Sequence, residues 1–589
     1  MSPKVSRRRA GLVIILVTAV LVAFGVRLID VQLVSASTIN ADAESKRGVS
    51  STIFSERGSI IDRNGEILAD SADRFDLTVA PANVAEFDRT GDDGKTATVS
   101  RDQALGEIAA ITGQQQAELI GVIDGALAID PDSNFAYLSR GLELAAYQKV
   151  RALEIPWIYP KREAARVYPN GQVAGNLTGF LGADGEPLAG LELSENKCLA
   201  GVDGEETYER SADNVRIPGT EVTLTEAKQG GTLKLTVDAD LQYYALQVLA
   251  QQVTAMGGQW GHIIVQEVGT GKILAAADFP SVDPNDPGAT ATEDRGSRAF
   301  TAPYEPGSTM KALTAAMVFD KGLSTPAEQF TVPGRFEQTD VSFGDDWAHG
   351  DERWTAAGIM TRSSNIGIAL MGQRLSAGER YDYMLDFGLN ADTEADFLGE
   401  EAGTVRPYDE WDPQTNYATM FGQGLQVTAP QMASAYQTIA NGGQRLPVQL
   451  VEGCETEDGF VPSEPGEPRQ VVSAQAATDT LTLLEATAQS GSLANEVAIP
   501  GYRVGIKTGT AEVSDGQGQY VDGSFMTSMA GVAPIDDPKY VVTVSIMNPT
   551  TMRGSAATAP AWHDVMAYVL QSNRVAPSPS PWPTIPTTF

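Results

Sequence analysis

The sequence predicts an α+β chain in three parts: one N-terminal membrane helix, a turn-rich mixed α/β region, and a C-terminal domain with an antiparallel sheet covered by helices. Three observations predict it. Residues 10–26 carry no charge. Short strand-like and helix-like stretches alternate through residues 57–230. After residue 232, strand patterns give way to helix patterns and then to strand patterns again, which suits a sheet with helices on its faces.

At the start of the chain, Lys4, Arg7, Arg8 and Arg9 precede the apolar run, and Leu28 and Ile29 extend it past Arg27. A helix of about 20 residues spans the hydrocarbon core. The basic cluster keeps residues 1–9 cytoplasmic and puts the rest outside. The competing reading is a cleaved signal peptide. Val34-Ser35-Ala36 has small residues at cleavage spacing, but Arg27 and Asp30 stand in between, so an uncleaved anchor over residues 10–29 is preferred. Residues 30–56 read as a stalk continuing the helix. Residues 101–111 and 142–152 show helical apolar spacing. Residues 233–237 alternate like a half-buried strand, and Asp238 caps a helix after it. Residues 262–267 and 271–277 form a hairpin pattern, and residues 310–321 a helix stopped by Gly322. Residues 503–507, 510–513, 525–532 and 541–547 are strand-like, and residues 562–571 a final helix. The tail from Ala576 is rich in Pro, Ser and Thr and reads as disordered. Domains are thus expected at 30–230 and 231–572, with a tail at 573–589.

Composition narrows the chemistry. Apolar residues make up 42% of the chain, enough to exclude wholesale disorder. The net charge of −34 makes nucleic acid an unsuitable partner. Three scattered histidines and two cysteines argue against a metal site. With His so scarce, lysine becomes the base to look for. Cys198 and Cys454 can form one bridge or stand as separate thiols.

The chemistry concentrates in three strings. Tyr304-Glu305-Pro306-Gly307-Ser308-Thr309-Met310-Lys311 places a turn before an apolar-faced helix, with Ser308 at its N-terminus. Positions i and i+3 share a helix face, so Lys311 can meet the Ser308 hydroxyl. A serine needs a base to become a nucleophile, and a lysine serves when burial lowers its pKa. A second Ser-x-x-Lys, Ser194 to Lys197, lies in a polar stretch and reads as coincidence. Ser363-Ser364-Asn365 precedes an apolar helical run, and Lys507-Thr508-Gly509-Thr510 lies in a strand pattern. Together these follow the Ser-x-x-Lys, Ser-Asp-Asn and Lys-Thr-Gly set of serine enzymes of the penicillin-binding and class A β-lactamase type, with the Ser-Asp-Asn slot reading Ser-Ser-Asn here. Ser363 can relay a proton between Lys311 and a leaving amine. Asn365 can hold Lys311 and a substrate amide. Lys507 and the Thr508 and Thr510 hydroxyls can bind a substrate carboxylate, and Gly509 lets substrate backbone lie close. The Ser308 and Thr510 N–H groups would form the oxyanion hole.

The chain resembles the class B penicillin-binding proteins, most closely the FtsI-type septal transpeptidases. The resemblance runs from Arg57 to Val569. It rests on Arg57-Gly58-Ser59-Ile60-Ile61-Asp62-Arg63-Asn64-Gly65, on Arg166-Val167-Tyr168-Pro169-Asn170-Gly171 with Gly179-Phe180, and on Gly190-Leu191-Glu192. Further matches are Leu235-Thr236-Val237-Asp238, Phe421-Gly422-Gln423-Gly424 with Thr428 and Gln431, and Ala440-Asn441-Gly442-Gly443. It implies a pedestal ahead of a transpeptidase domain and peptidoglycan D,D-transpeptidation without a cofactor. Ser308 would attack the penultimate D-Ala carbonyl of a stem peptide, and β-lactams would acylate it. Expected partners are stem peptides, β-lactams, the membrane, a SEDS-type lipid II glycosyltransferase and other division proteins. Two departures bear on substrate fit: Ile506 stands where the family commonly has Gly, and residues 489–493 only loosely resemble its Gly-Thr-Gly loop. Arg57 and Glu192 are expected to form a structural salt bridge.

Competing readings are an elongation-type transpeptidase, a β-lactamase or D,D-carboxypeptidase, and a non-catalytic division scaffold or β-lactam sensor. The hydrolase needs a water-positioning Glu that the sequence does not place. No glycosyltransferase-sized segment precedes Arg57, which argues against a bifunctional chain.

Overall fold

In this computed structural model, residues 3–35, 48–91, 94–209, 217, 219–514 and 519–589 are described. The chain divides into two compact units, Met1–Glu56 with Ala200–Gly230, and Arg57–Leu199 with Gly231–Phe589.

In the first unit, helix α1 (Pro3–Ile29) continues into a wide turn at Asp30–Val34. Ala10–Gln32 has a mean hydropathy of 2.8 and none of it is buried. At 1.5 Å per residue its 23 residues reach about 35 Å, enough to cross a bilayer. Arg27 does not end the helix, because it pairs with Asp30 one turn on. The stalk expected to continue this helix as far as residue 56 does so through Asp30–Val34 but not at its far end. Residues 36–47 lie outside the described residues, and Gly48–Ile53 is a strand, as suits its Val, Thr and Ile content. It pairs antiparallel with Gly204–Glu209, which pairs with Val222–Thr225.

The second unit opens on a mixed sheet. Ile60–Ile61 pairs with Ile67–Val79, which also pairs with Ala136–Glu143 and Ile158–Val167. Helices Arg101–Thr112 and Gln116–Ile129 bury Leu105, Ile108, Leu119 and Ile123 against it. On its other side Ile60–Ile61 runs parallel to Thr232–Leu235, which pairs antiparallel with Val451–Thr456. The early segment and the C-terminal domain therefore share one hydrogen-bonded sheet.

Arg57 and Glu192 form the expected salt bridge. Glu192 is fully buried between Arg57 Nε and Arg166 Nε, each at 2.6 Å, and accepts from Tyr168 Oη at 3.2 Å. A carboxylate so enclosed is costly to leave unpaired, by about 3–5 kcal/mol. These residues thus tie three stretches of the pedestal together.

The C-terminal domain is built on a five-stranded antiparallel sheet. Its strands are β1 (Trp260–Glu267), β2 (Ile273–Phe279), β3 (Gly505–Ser514), β4 (Tyr520–Ala533) and β5 (Tyr540–Met547), in the spatial order β2-β1-β5-β4-β3. Helices α2 (Ala239–Met256) and α8 (Ala559–Ser572) bury Leu249 and Trp562 within one core cluster. A second cluster holds α3 (Met310–Asp320), α4 (Ala356–Arg362), α5 (Asn365–Gly372), α6 (Ala429–Ala440) and α7 (Ala474–Ser490). Helix α3 buries every residue from Met310 to Phe319, so it runs through the interior and holds Lys311 there. The Asp238 cap forms as expected, accepting from Leu241 N at 3.0 Å.

The tail is not disordered. Ser578 N donates to Gly501 O at 2.9 Å and Arg503 N donates to Ser578 Oγ at 3.0 Å. Farther on, Thr355 N donates to Thr587 O at 3.2 Å and Thr355 Oγ1 to Pro586 O at 2.7 Å. The composition offers no amphipathic element of its own. Prolines nevertheless restrict the unfolded chain, which lowers the cost of docking an extended segment by its carbonyls.

Cys198 and Cys454 are bonded, with Cα atoms 6.0 Å apart at a sequence separation of 256. Leu233 stands opposite Cys454, and Gly231 N donates to Cys198 O, so the bridge is set by local strand pairing. Closing so long a loop should stabilise the fold by about 2–4 kcal/mol. Cys198→Ser with Cys454→Ser is expected to lower the unfolding free energy by that amount, read as a lower denaturant midpoint, with a slope equal to or steeper than wild type because the unfolded chain loses its cross-link. An unchanged midpoint would mean that the bridge contributes nothing.

Candidate active site

The nucleophile turn is built by close backbone approach. Ser308 lies in a 3₁₀ turn, Gly307–Thr309, that leads into α3. Gly307 has φ +55°, and a Cβ there would lie 3.0 Å from Thr510 O. On the facing strand, a Cβ on Gly509 would lie 2.7 Å from Pro306 O. Both glycines are needed for the turn to rest on β3. Gly307 N donates to Gly422 O at 2.9 Å, and Tyr436 Oη donates to Thr309 O at 2.9 Å. The Phe421 to Gly424 string therefore supports the turn from behind.

Ser363 is delivered by the junction of α4 and α5. It sits in the left-handed region at φ +55°, uncommon for a residue with a Cβ. Its N–H donates to Met360 O at 3.0 Å and ends α4. One residue later, Ser364 Oγ accepts from Gly367 N at 2.8 Å and starts α5. Ser364 is thus a helix cap, and Ser363 is the member of that pair left facing the cavity.

Ser308, Ser363, Thr508, Gly509 and Thr510 line one cavity of about 140 Å³. Ile506 and the loop residues Gly491, Ser492 and Leu493 line it too, so both departures from the family pattern fall on its wall. Lys311 Nζ donates to Ser363 O at 2.5 Å and lies 3.3 Å from Ser363 Oγ. Lys507 Nζ donates to Ser363 Oγ at 2.9 Å and to Thr508 O at 2.9 Å. One hydroxyl stands between two fully buried lysines. Burial lowers the Lys311 pKa to about 8, against the nearby charges of Asp346 and Asp345 that favour its cationic form. Lys507 is pushed well down, first by burial and then by the charge of Lys311, with Asp346 opposing.

The Lys507 side chain has partners inside the fold, donating to Ser363 Oγ and to Thr508 O. One expected contact is not made. Asn365 Nδ2 donates to Asp346 Oδ1 at 3.4 Å, and Lys311 makes its hydrogen bonds to Ser363 instead. The other Ser-x-x-Lys lies outside the cavity lining, in the short helices around Ser194 and Lys197.

Asp345 and Asp346 escaped the sequence reading. The Asp345 side chain is fully buried and accepts from Ser364 Oγ at 2.6 Å, Ile366 N at 3.0 Å and His349 Nε2 at 3.0 Å. It caps α5 and fixes the turn that carries Ser363. Asp346 lines the cavity beside Ser363. Two adjacent acids in a Gly- and Trp-containing loop give no spacing signal, since the serine and amide they meet lie some twenty residues away. Removing the Asp345 carboxylate orphans three donors, about 3 kcal/mol. Asp345→Ala is expected to speed hydrogen exchange at the Ile366 amide by roughly 100-fold, with Asp345→Asn intermediate. Wild-type exchange in Asp345→Ala would show that the cap does not hold the turn.

Comparison with known proteins agrees with this geometry. Residues 261–567 match the penicillin binding protein transpeptidase domain, and residues 52–187 the penicillin-binding protein dimerisation domain. The chain is 33% identical to the penicillin-binding protein PbpB of Mycobacterium tuberculosis, covering 99% of this chain and 87% of that one. It is 28% identical to the peptidoglycan D,D-transpeptidase FtsI of Escherichia coli, covering 89% and 85%. Among solved structures, a peptidoglycan synthetase from Bifidobacterium adolescentis superposes with a TM-score of 0.71 at 29% identity, over 92% of this chain and all of that one. Penicillin binding protein 3 of M. tuberculosis, complexed with aztreonam, gives 0.69 at 28%, with the same coverage. With the dimerisation domain ahead of the transpeptidase domain, Ser308 and Ser363 at one cavity and Lys507 bonded to Ser363, the chain belongs to the class B penicillin-binding proteins, the FtsI-type serine D,D-transpeptidases.

Proposed function

We propose that Ser308 is the nucleophile that cross-links peptidoglycan stem peptides, with Lys311 as its base. The observation that carries this reading is the Ser363 hydroxyl held between two buried lysines beside Ser308. With its pKa near 8, Lys311 has a neutral fraction at physiological pH and can take the Ser308 proton. The Ser308 oxygen then bonds to the penultimate D-Ala carbonyl carbon. The Ser308 and Thr510 N–H groups stabilise the oxyanion. As the tetrahedral intermediate collapses, the C–N bond breaks and the terminal D-Ala amine leaves. Its proton comes from Lys311 through the Ser363 hydroxyl, which Lys507 polarises. The amine of a second stem attacks the acyl-enzyme, gives up its proton by the same route and frees Ser308.

Thr508 and Thr510 hydroxyls take the donor's terminal carboxylate, with the Lys507 side chain behind them, and Gly509 lets the donor backbone approach. Asn365, placed by Asp346, orients the substrate amide. The N-terminus is cytoplasmic and the catalytic domain lies outside the membrane at the division septum. There the chain works with a SEDS-type lipid II glycosyltransferase and other division proteins. FtsI in a relative's name supports the septal reading over the elongation one.

The detergent-solubilised full chain, treated with a fluorescent penicillin, is expected to gain one covalent adduct. Peptide mass spectrometry should place it on Ser308, and Ser308→Ala should carry none. An adduct on another residue, or no adduct, would overturn this reading, and rapid release of hydrolysed β-lactam would favour a hydrolase.

A further inference from the structure

The C-terminal tail crosses the back of the catalytic walls. It leaves α8 at Val575, whose carbonyl accepts from Tyr502 Oη at 2.6 Å, and is fixed at Ser578 by Gly501 and Arg503. It then passes Trp582, which lines a cavity of about 260 Å³ with Ala488 and Gln489 at the end of α7. That helix end leads into the loop whose Gly491, Ser492 and Leu493 line the active-site cavity. The tail finishes on α4. From Ser578 to Thr587 an extended segment spans about 30 Å.

The contact with α4 is specific. Thr355 is the N-cap of α4, and its Oγ1 accepts from Gly358 N at 3.1 Å. The same hydroxyl has one proton and donates it to Pro586 O, which orients its lone pairs toward the helix. The Thr355 N–H is satisfied by Thr587 O. Trp354 and Thr588 form a β-bridge, and the Arg353 guanidinium lies 4.4 Å from the Phe589 ring centroid. A Cβ on Gly358 would sit 1.9 Å from Thr587 O, so the tail lies where only glycine leaves room. The seven residues of α4 separate Thr355 from Ser363, about 12 Å from cap to cap, and the far end of α4 is the left-handed Ser363 itself.

We infer that residues 576–589 act as a strap that positions Ser363 for acylation, through the Thr355 cap and α4. The strap touches neither Ser308 nor Ser363. It fixes the start of the short helix, while Asp345 fixes the turn at its end. A loosened α4 leaves the binding surface of β3 in place but lets Ser363 drift between the two lysines. The chemical step is then slowed while initial binding is unchanged. This inference rests on Ser363 taking part in acylation.

The test uses stopped-flow acylation of the full chain in detergent by a fluorescent penicillin, separating the initial dissociation constant from the acylation rate constant. A chain ending at Val575 is expected to acylate about tenfold more slowly, with its dissociation constant within twofold. A synthetic peptide of residues 581–589, added in excess, is expected to restore most of the rate. Gly358→Ala in the full chain should displace the tail and reproduce the slowing. In the truncated chain the same substitution should change nothing further, since the two act through one contact. Wild-type rates in both the truncated chain and Gly358→Ala would overturn the strap, as would a loss confined to the dissociation constant or one the peptide does not restore. Absence of an adduct in the intact chain would instead sink the Ser308 reading.

Discussion

Two lysines share one hydroxyl, and the rest of the catalytic domain is arranged so that they can. Lys311 and Lys507 come from an interior helix and a sheet-edge strand, and both Nζ atoms converge on Ser363. Two ammonium groups buried side by side repel, and the low-dielectric surroundings favour the neutral amine. A residue that is ordinarily a surface cation is thereby brought closer to neutrality, as the proposed base requires. Three histidines in 589 residues are no handicap when burial can tune a lysine.

That convergence demands rigidity from parts that are not themselves reactive. The Gly307 turn rests on Gly509 and Thr510 because neither glycine has a side chain to hold them apart. Ser363 adopts a backbone conformation that the surrounding structure must enforce. Asp345 does so from one side by capping α5, and the docked tail does so from the other through Thr355. Farther out, Glu192 between two arginines and the Cys198–Cys454 bridge tie the pedestal stretches to the strand that leads into the catalytic domain.

The sequence disclosed what is local. Ser308 and Lys311 are three residues apart on one helix, and Lys507 to Thr510 occupy one strand, so their strings carried the chemistry before any coordinates. The alternation at residues 233–237 and the Asp238 cap were legible for the same reason. Features that stayed hidden depend on distant partners. Asp345 gains meaning only against Ser364 and Ile366, nearly twenty residues away. Thr355 looks like an ordinary cap until the carbonyl of Pro586, 231 residues away, meets its hydroxyl. Low-complexity composition reports that the tail cannot fold alone, but it does not report that a groove beside Gly358 receives it. That Lys507 also meets the Ser363 hydroxyl was not legible, because strand alternation does not say how a long side chain bends.

The most direct measure of the shared-hydroxyl account is the pH dependence of the acylation rate constant, followed from pH 6 to pH 10. If Lys311 is the base, its neutral form is the active one, and burial lowers its pKa to about 8. The rate constant should therefore rise close to tenfold per pH unit below that value and level off above it. Asp346→Asn, which removes a charge favouring the cation, should move the midpoint to lower pH. A rate that is flat across the range, or that falls as pH rises through 8, would contradict lysine as the base.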